Sequence, residues 1–215
     1  EILIGLVGSE MCIRDRNERL TQTGGDGMIE KNIRRRRESA MIYYTADLHV
    51  HYAQLLPSRP FATVEEMDEA LVKNWNDTVG PEDTVYLVGD IGWNGGRVPG
   101  ELLERLSGHK HLIRGNHDTG YEDAGRLYRW FETVTDFNEI DDGETHILLC
   151  HYPMLYHKRG YMIHGHLHHG RGRDYELLRQ LPRVLNAGVD VNHFEPVTFE
   201  EMEANNLLYK GQSKA

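Results

Sequence analysis

Thr84-Val85-Tyr86-Leu87-Val88-Gly89-Asp90 is the stretch of sequence that decides the fold. Its apolar, β-prone residues are typical of a buried strand, and the glycine that follows them allows the chain to turn sharply. Asp90 is therefore expected at the carboxyl end of a strand, at the edge where open α/β sheets form their binding crevice.

Four further segments repeat this pattern of a strand-like run followed by polar side chains. They are Met41–Ala46 with Asp47 and His49, Lys110–Arg114 with Asn116, His117 and Asp118, His146–Cys150 with His151, and Tyr161–Ile163 with His166 and His168. If strand geometry continues past the first run, its two polar side chains point the same way. Glycines at 89, 115 and 165 are expected to let the backbone come close to an ion.

The collected side chains are ones that bind divalent metals. Two carboxylates, one amide oxygen and four imidazoles suit borderline ions, and no thiolate is required. The predicted ligands are Asp47, His49, Asp90, Asn116, His151, His166 and His168. Two adjacent ions need a shared anion, and Asp90 is the natural bridge. We expect two divalent ions, with Mn²⁺ preferred and Fe, Zn²⁺ or Ni²⁺ as the alternatives.

The ordered set of motifs resembles the signature of the calcineurin-like metallophosphoesterases, complete from Asp47 to His168. The resemblance spans roughly residues 41–200, and residues 41–90 look like the small bacterial and phage members without a cap domain. Residues 188–192, followed by Pro196-Val197-Thr198, look like their closing strand and last helix. One departure follows the first His, where Val50 leads directly into His51, so no substrate role is expected for His51.

The resemblance implies an α/β fold in which two mixed β-sheets form a sandwich flanked by helices. It assigns Asp47, His49 and His168 to one metal, Asn116, His151 and His166 to the other, and Asp90 to both. It also implies a metal-dependent phosphoesterase, in which a hydroxide bridging the two ions attacks a small phosphate ester. Phosphodiesters are slightly favoured over monoesters.

His117 and Asp118 are the predicted catalytic residues. His117 is left free of the metals yet next to them, so we expect it to stabilise the phosphoryl oxygens or to protonate the leaving group, with Asp118 orienting its ring. Two alternatives remain open. The first is a catalytically silent metal-binding scaffold of the same fold, which loss of His117 would have indicated, and the second is a nuclease.

Composition limits the partners. A chain of 215 residues with 39% hydrophobic residues can build one compact domain, and its net charge of −10 disfavours a long polyanion such as nucleic acid. The basic run Arg34–Arg37 is the only feature that favours a nuclease. Two cysteines imply no disulfide framework, and no apolar run is long enough to span a membrane, so we expect a cytoplasmic protein. The oligomeric state stays open.

The domain boundary is expected near the first strand. Residues 1–40 are predicted to be an N-terminal extension, disordered or not native, and residues 41–215 the phosphoesterase domain, with the native start at Met28 or Met41. Substrate specificity is expected from three loops, 52–62, 92–100 and 152–160, which include Arg59.

Helices are expected between the strands. Thr63 and Glu66 form a capping-box pattern before an apolar face of Met67, Leu71, Val72 and Trp75, and Thr198 with Glu201 forms a second such pattern. Two shorter helices are predicted at 101–106 and 175–181.

Overall fold

The computed structural model describes residues 40–157 and 160–211. The expectations for residues 1–39, including Met28 as a start and the basic run Arg34–Arg37, lie outside the described residues. So do Lys158 and Arg159, which belong to the third of the predicted specificity loops.

The first sheet is made of four parallel strands. They are β1 (Ile42–Thr45), β2 (Thr84–Leu87), β3 (His109–Ile113) and β4 (Thr133–Thr135), hydrogen-bonded in that order. Tyr44 stands opposite Tyr86 in the register of β1 and β2. Because all four strands run the same way, their carboxyl ends, and the polar segments that follow them, meet at one edge of the sheet.

The second sheet is mixed. It contains β5 (Asn138–Asp142), β6 (Thr145–Leu149), β7 (Tyr161–His164) and β8 (Val184–Asn186), in that order. β5 and β6 form an antiparallel hairpin, and the other pairs are parallel. The two sheets were expected, although only the second is mixed. The closing strand lies at Val184–Asn186, whereas Gly188 forms an isolated bridge with Ala46 and residues 189–192 form a turn.

In the described part of the chain four α-helices flank the sheets: α1 (Val64–Thr78), α2 (Gly100–Leu103), α3 (Arg173–Leu178) and α4 (Phe199–Tyr209). The capping box of α4 is complete. That of α1 is half formed, because the Thr63 hydroxyl accepts from the Glu66 amide while the Glu66 carboxylate accepts from the amide of Ala62. The predicted apolar face of α1 is buried, and α2 and α3 are each shorter at their C-terminal ends than expected.

Successive side chains along a strand point to opposite faces of the sheet, so the core is divided into layers. On β6, Ile147 and Leu149 face the layer between the two sheets, whereas Leu148 faces outward toward α3. The outer face of the first sheet packs against α1 and α2. Both sheets are therefore covered by helices on their outer faces, which leaves the strand ends free to carry polar loops.

Within residues 40–157 and 160–211, no helix is both long and apolar enough to cross a membrane.

Candidate metal centre

The polar segments of both sheets meet at the carboxyl ends of the parallel strands. The loop after β1 continues the pairing with the loop after β2, since the Asp47 amide donates to the Gly89 carbonyl at 2.9 Å and the His49 amide to the Asp90 carbonyl at 3.1 Å. Across from them, the Gly165 amide donates to the His151 carbonyl at 3.1 Å and so joins the loops after β6 and β7.

The structure brings six of the seven predicted ligands, together with His117, into three overlapping groups whose possible donor atoms lie within 4.8 Å of one another. The groups are Asp47 with His49 and His168, His49 with Asp90 and His117, and Asp90 with His151 and His166. Asp90 is shared: its Oδ2 lies 3.4 Å from Nε2 of His49 and 3.4 Å from Nε2 of His151. One carboxylate oxygen therefore stands between two sets of imidazoles.

Asn116 completes the second set. Its Oδ1 lies 3.1 Å from Nε2 of His151 and 2.9 Å from Nδ1 of His166. The His151 ring is fixed from behind, because its Nδ1 donates to the Val88 carbonyl at 2.9 Å and leaves Nε2 directed at Asp90 and Asn116. This is the arrangement in which one nitrogen of an imidazole is held by the protein and the other is directed at a metal position.

His49 tests whether the site suits a metal. Its ring is buried, and neither of its nitrogens has a hydrogen-bond partner among the described residues. Its distance to Asp90 is short, but the geometry does not make a hydrogen bond. Buried polar atoms without partners are costly, so the ring needs an electron-pair acceptor. Burial also lowers the pKa of His49 to about 3, which keeps the imidazole neutral, as a metal ligand must be. The residues therefore fit a divalent ion.

The pKa values of the two carboxyl groups of the site are shifted in opposite directions. Burial raises the pKa of Asp47 to about 6, although the His166 amide donates to both of its oxygens at 2.9 Å. Burial also raises the pKa of Asp90, but the hydrogen bond and charge of His151 outweigh burial and bring it below the ordinary value. For His151, burial lowers the pKa, yet the hydrogen bond to Asp90 and the charge of Asp47 raise it to about 8. A bound cation would hold both carboxylates ionised.

Five of the seven predicted ligands have left-handed backbone. The φ angles are 57° at Asp47, 49° at His49, 58° at Asp90, 71° at His166 and 49° at His168. Such angles are uncommon outside glycine and cost free energy that the surrounding structure must offset, and they cluster at functional sites. Strand geometry therefore ends before Asp47, and the expected alternation does not set the direction of its side chain.

Two of the three glycines leave space for carboxylates. A Cβ at Gly115 would collide with the Asp90 carboxylate, and one at Gly165 would lie 2.8 Å from Oδ2 of Asp47. Gly89 is required for two reasons. Its backbone is left-handed, with a φ of 87°, and a Cβ there would collide with the His151 ring. The glycines were expected to bring the backbone close to an ion, and in the structure they bring it close to the ligands.

His117 was predicted to lie next to the metals without binding them, and in the structure it also forms one group of possible metal donors with His49 and Asp90. Its ring centroid is 4.9 Å from that of His49, and its amide donates to Oδ1 of Asp90 at 2.9 Å. The ring is also 5.6 Å from the Tyr52 ring, at the solvent side of the site.

Asp118 has a different role from the expected one. Its carboxylate accepts from the amides of Asp90 at 2.8 Å, Ile91 at 2.9 Å and Gly115 at 2.7 Å, and from the Tyr121 hydroxyl at 3.3 Å. Among the described residues it makes no hydrogen bond to the His117 ring, so it holds the backbone around Asp90 and does not orient His117.

Two residues that sequence reasoning missed support the His168 side of the site. Arg59, expected in a specificity loop, is buried and forms a two-pronged ion pair with Asp190. Asp190 in turn lies 2.9 Å from Nδ1 of His168. Burial raises the pKa of Asp190, but hydrogen bonds from His168 and Arg59 hold it far below its usual range. No local signal pairs residues 131 positions apart.

Three aromatic residues of the expected specificity loops lie at the surface, whereas Phe61 packs against the core. Trp93 is 42% exposed, Tyr152 49% and Tyr156 80%, and the Tyr152 ring contacts the rings of His151 and His166. Tyr152 is therefore both exposed and next to the site, whereas Arg59 is buried.

The similarity to known proteins covers nearly all of the described residues and is not confined to the site. The family model for calcineurin-like phosphoesterases matches residues 40–211. The chain is 33% identical over 166 residues to an uncharacterized protein of Methanocaldococcus jannaschii, covering 74% of this chain and 87% of that one. It is 31% identical over 182 residues to the Gene 66 protein of Mycobacterium phage D29, covering 71% and 89%.

A solved structure is also similar. A protein of unknown function from Aquifex aeolicus superposes with a TM-score of 0.61 at 26% identity, covering 77% of this chain and 99% of that one. Since the family match includes every strand, every helix and the whole cluster of side chains described above, the chain belongs to the calcineurin-like phosphoesterase family.

Proposed function

We propose that this protein is a two-metal hydrolase of small phosphate esters, with phosphodiesters favoured over monoesters and Mn²⁺ as the preferred ion. Its family indicates a phosphoesterase. The observation that carries the two-metal proposal is the position of Asp90, whose Oδ2 is equally distant from a ring nitrogen of His49 and one of His151.

The ligands divide into two sets around that carboxylate. Asp47, His49 and His168 would hold one ion, Asn116, His151 and His166 the other, and Asp90 both. The pair of ions, when bound, supplies an activated water and positive charge for the phosphoryl oxygens. Asp118 holds the Asp90 loop in place through three backbone amides.

His117 is the proposed proton donor to the leaving group. It is half-buried at the solvent side of the site, and its amide bond to Asp90 fixes the backbone from which its side chain extends. A proton donor there lets an ester with a poor leaving group react, since the departing oxygen would otherwise carry a full negative charge.

The proposed substrate is a small molecule, and the proposed location is the cytoplasm. The acidic net charge opposes binding of a long polyanion, and two cysteines without a disulfide framework suit a reducing compartment. A metal-binding scaffold without chemistry remains the alternative, and it is the other outcome of the test.

The test compares metal-free and Mn²⁺-loaded protein on a matched pair of aryl phosphates, one a monoester and one a diester. We expect no turnover without metal, recovery with Mn²⁺, and the larger kcat/KM on the diester. Full activity in metal-free protein would contradict the mechanism, and no activity with two ions bound would favour the scaffold.

A further inference from the structure

The ion pair of Arg59 and Asp190 is almost completely buried. The side chains are 0% and 2% exposed, and the Arg59 fork binds the carboxylate through Nε and one terminal nitrogen, each at 2.9 Å. A buried ion pair adds little net stability, because the loss of hydration offsets the attraction. Stability alone therefore does not account for the pair.

Apart from a 3.5 Å contact between the Arg59 guanidinium and Sδ of Met67, the other side-chain hydrogen bonds of the pair go to the loop after β1 and to His168. The Arg59 guanidinium donates to the Asp47 carbonyl at 2.7 Å and to the Leu48 carbonyl at 2.8 Å. Asp190 accepts from Nδ1 of His168 at 2.9 Å. The pair thus ties the loop that carries Asp47 and His49 to the ring of His168.

The loop that carries Asp47 and His49 needs such support, and so does the backbone at His168. Asp47, His49 and His168 all have left-handed backbone, which relaxes unless surrounding contacts hold it. The hydrogen bond from Nδ1 also selects the tautomer of His168 whose Nε2 is free to bind a metal, and it makes that nitrogen a stronger ligand.

The other set of ligands is built differently. The His151 ring is held by the Val88 carbonyl, and Arg59 and Asp190 make no hydrogen bond to Asn116, His151 or His166 among the described residues. A change in the ion pair should therefore act mainly on the half that contains Asp47, His49 and His168, and reach the other half only through the Asp47 carboxylate, which accepts from the His166 amide.

We propose that Arg59 and Asp190 are positioning residues that pre-organise the metal subsite of Asp47, His49 and His168, with a much smaller effect on the subsite of Asn116, His151 and His166. This inference rests on the proposed function, because it requires that the cluster bind two ions. It adds that one subsite depends on a buried ion pair to which the ligands of the other make no hydrogen bond among the described residues.

The test uses Arg59→Lys, which keeps the charge but loses the fork, and Asp190→Asn, which keeps the shape but loses the charge. Arg105→Lys is the matched control, because Arg105 forms a comparable two-pronged pair with Glu69 on the surface. Circular dichroism and the melting temperature of the metal-free proteins establish that each variant folds.

Co²⁺ alone is the probe, since its visible absorption reports the ligands and geometry of each ion without any turnover. Wild type and Arg105→Lys should bind two equivalents. Arg59→Lys and Asp190→Asn should bind one equivalent with little change in affinity and the second about 10–100-fold more weakly, with the spectrum of one ion altered.

Two unaltered equivalents in both folded variants would overturn the inference, and so would an equal weakening of both equivalents. Failure of the proposed function looks different. A wild type that binds two Co²⁺ ions but hydrolyses no phosphate ester with any metal would refute the activity and leave the positioning role standing, whereas a wild type that binds no Co²⁺ would refute both.

Discussion

At the scale of single residues, the candidate site combines buried groups that suit a cation. Among the described residues the two buried ring nitrogens of His49 have no hydrogen-bond partner, and one oxygen of Asp90 lies close to two imidazoles. The identities of these residues could be read from the sequence, because each follows its own strand. Their supports could not: Asp118 acts on backbone amides, and Arg59 pairs with a residue far along the chain.

Asp90→Ala should be the most damaging change of a single ligand. It removes a contact to both ligand sets, so we expect fewer than two tightly bound ions and a loss of hydrolysis larger than the about 10–100-fold typical of residues that only support a ligand. Elemental analysis after dialysis measures the ions. Asp141→Ala, on an exposed carboxylate of β5, is the control. Two tightly held ions in Asp90→Ala would argue against the bridge.

His117→Ala separates catalysis from metal binding. Both ions should stay bound, while hydrolysis of esters with poor leaving groups slows by about 10²–10⁴-fold. The loss should shrink for an activated aryl ester, which needs less help from a proton donor. His109→Ala, on the exposed start of β3, is the control. Equal losses on both ester types would point to stabilisation of the phosphoryl oxygens, and no loss would exclude a catalytic role.

At the scale of elements, the proposed ligands lie just after the carboxyl ends of parallel strands, and five of the seven have left-handed backbone. The pattern of apolar runs predicts β1, β2, β3, β6 and β7 from sequence, because burial on both faces leaves a continuous apolar signal. The turns after them were not predictable, since Asp47 and His49 adopt angles that strand periodicity does not describe. The closing strand was misplaced because Val184–Asn186 is only three residues long.

Gly115→Ala tests how closely the loop after β3 packs on the site. The new methyl group would meet the Asp90 carboxylate, so we expect weaker metal binding and a lower kcat in a protein that still folds. Gly125→Ala is the matched control, because a Cβ there would have no atom within 4 Å. Equal metal affinity in the two variants would show that the close packing of Gly115 against the Asp90 carboxylate does not affect metal binding.

At the scale of the whole molecule, two sheets and their flanking helices converge on one edge, and the site draws ligands from both sheets. That convergence could be predicted from sequence only through the resemblance to a family, because no local rule brings the loop after β1 to the loop after β7. The hydrogen bonds from the His166 amide to Asp47 join residues 119 positions apart.

Residues 1–40 are proposed to be dispensable, because their sequence shows no core-forming period. A chain that begins at Met41 should keep its melting temperature and its rate, since the Met41 nitrogen donates to Asp83 at 2.8 Å and a terminal amine can make the same bond. Differential scanning calorimetry of the two chains measures this. A drop of several degrees would show that the extension contributes to folding.

Anomalous diffraction from crystals of the Mn²⁺-loaded protein tests the two-metal site most directly. We predict two peaks about 3.5–4 Å apart, with the Asp90 carboxylate between them, Asp47, His49 and His168 around one, and Asn116, His151 and His166 around the other. A single peak at full Mn²⁺ loading, or two peaks that do not share Asp90, would contradict the account.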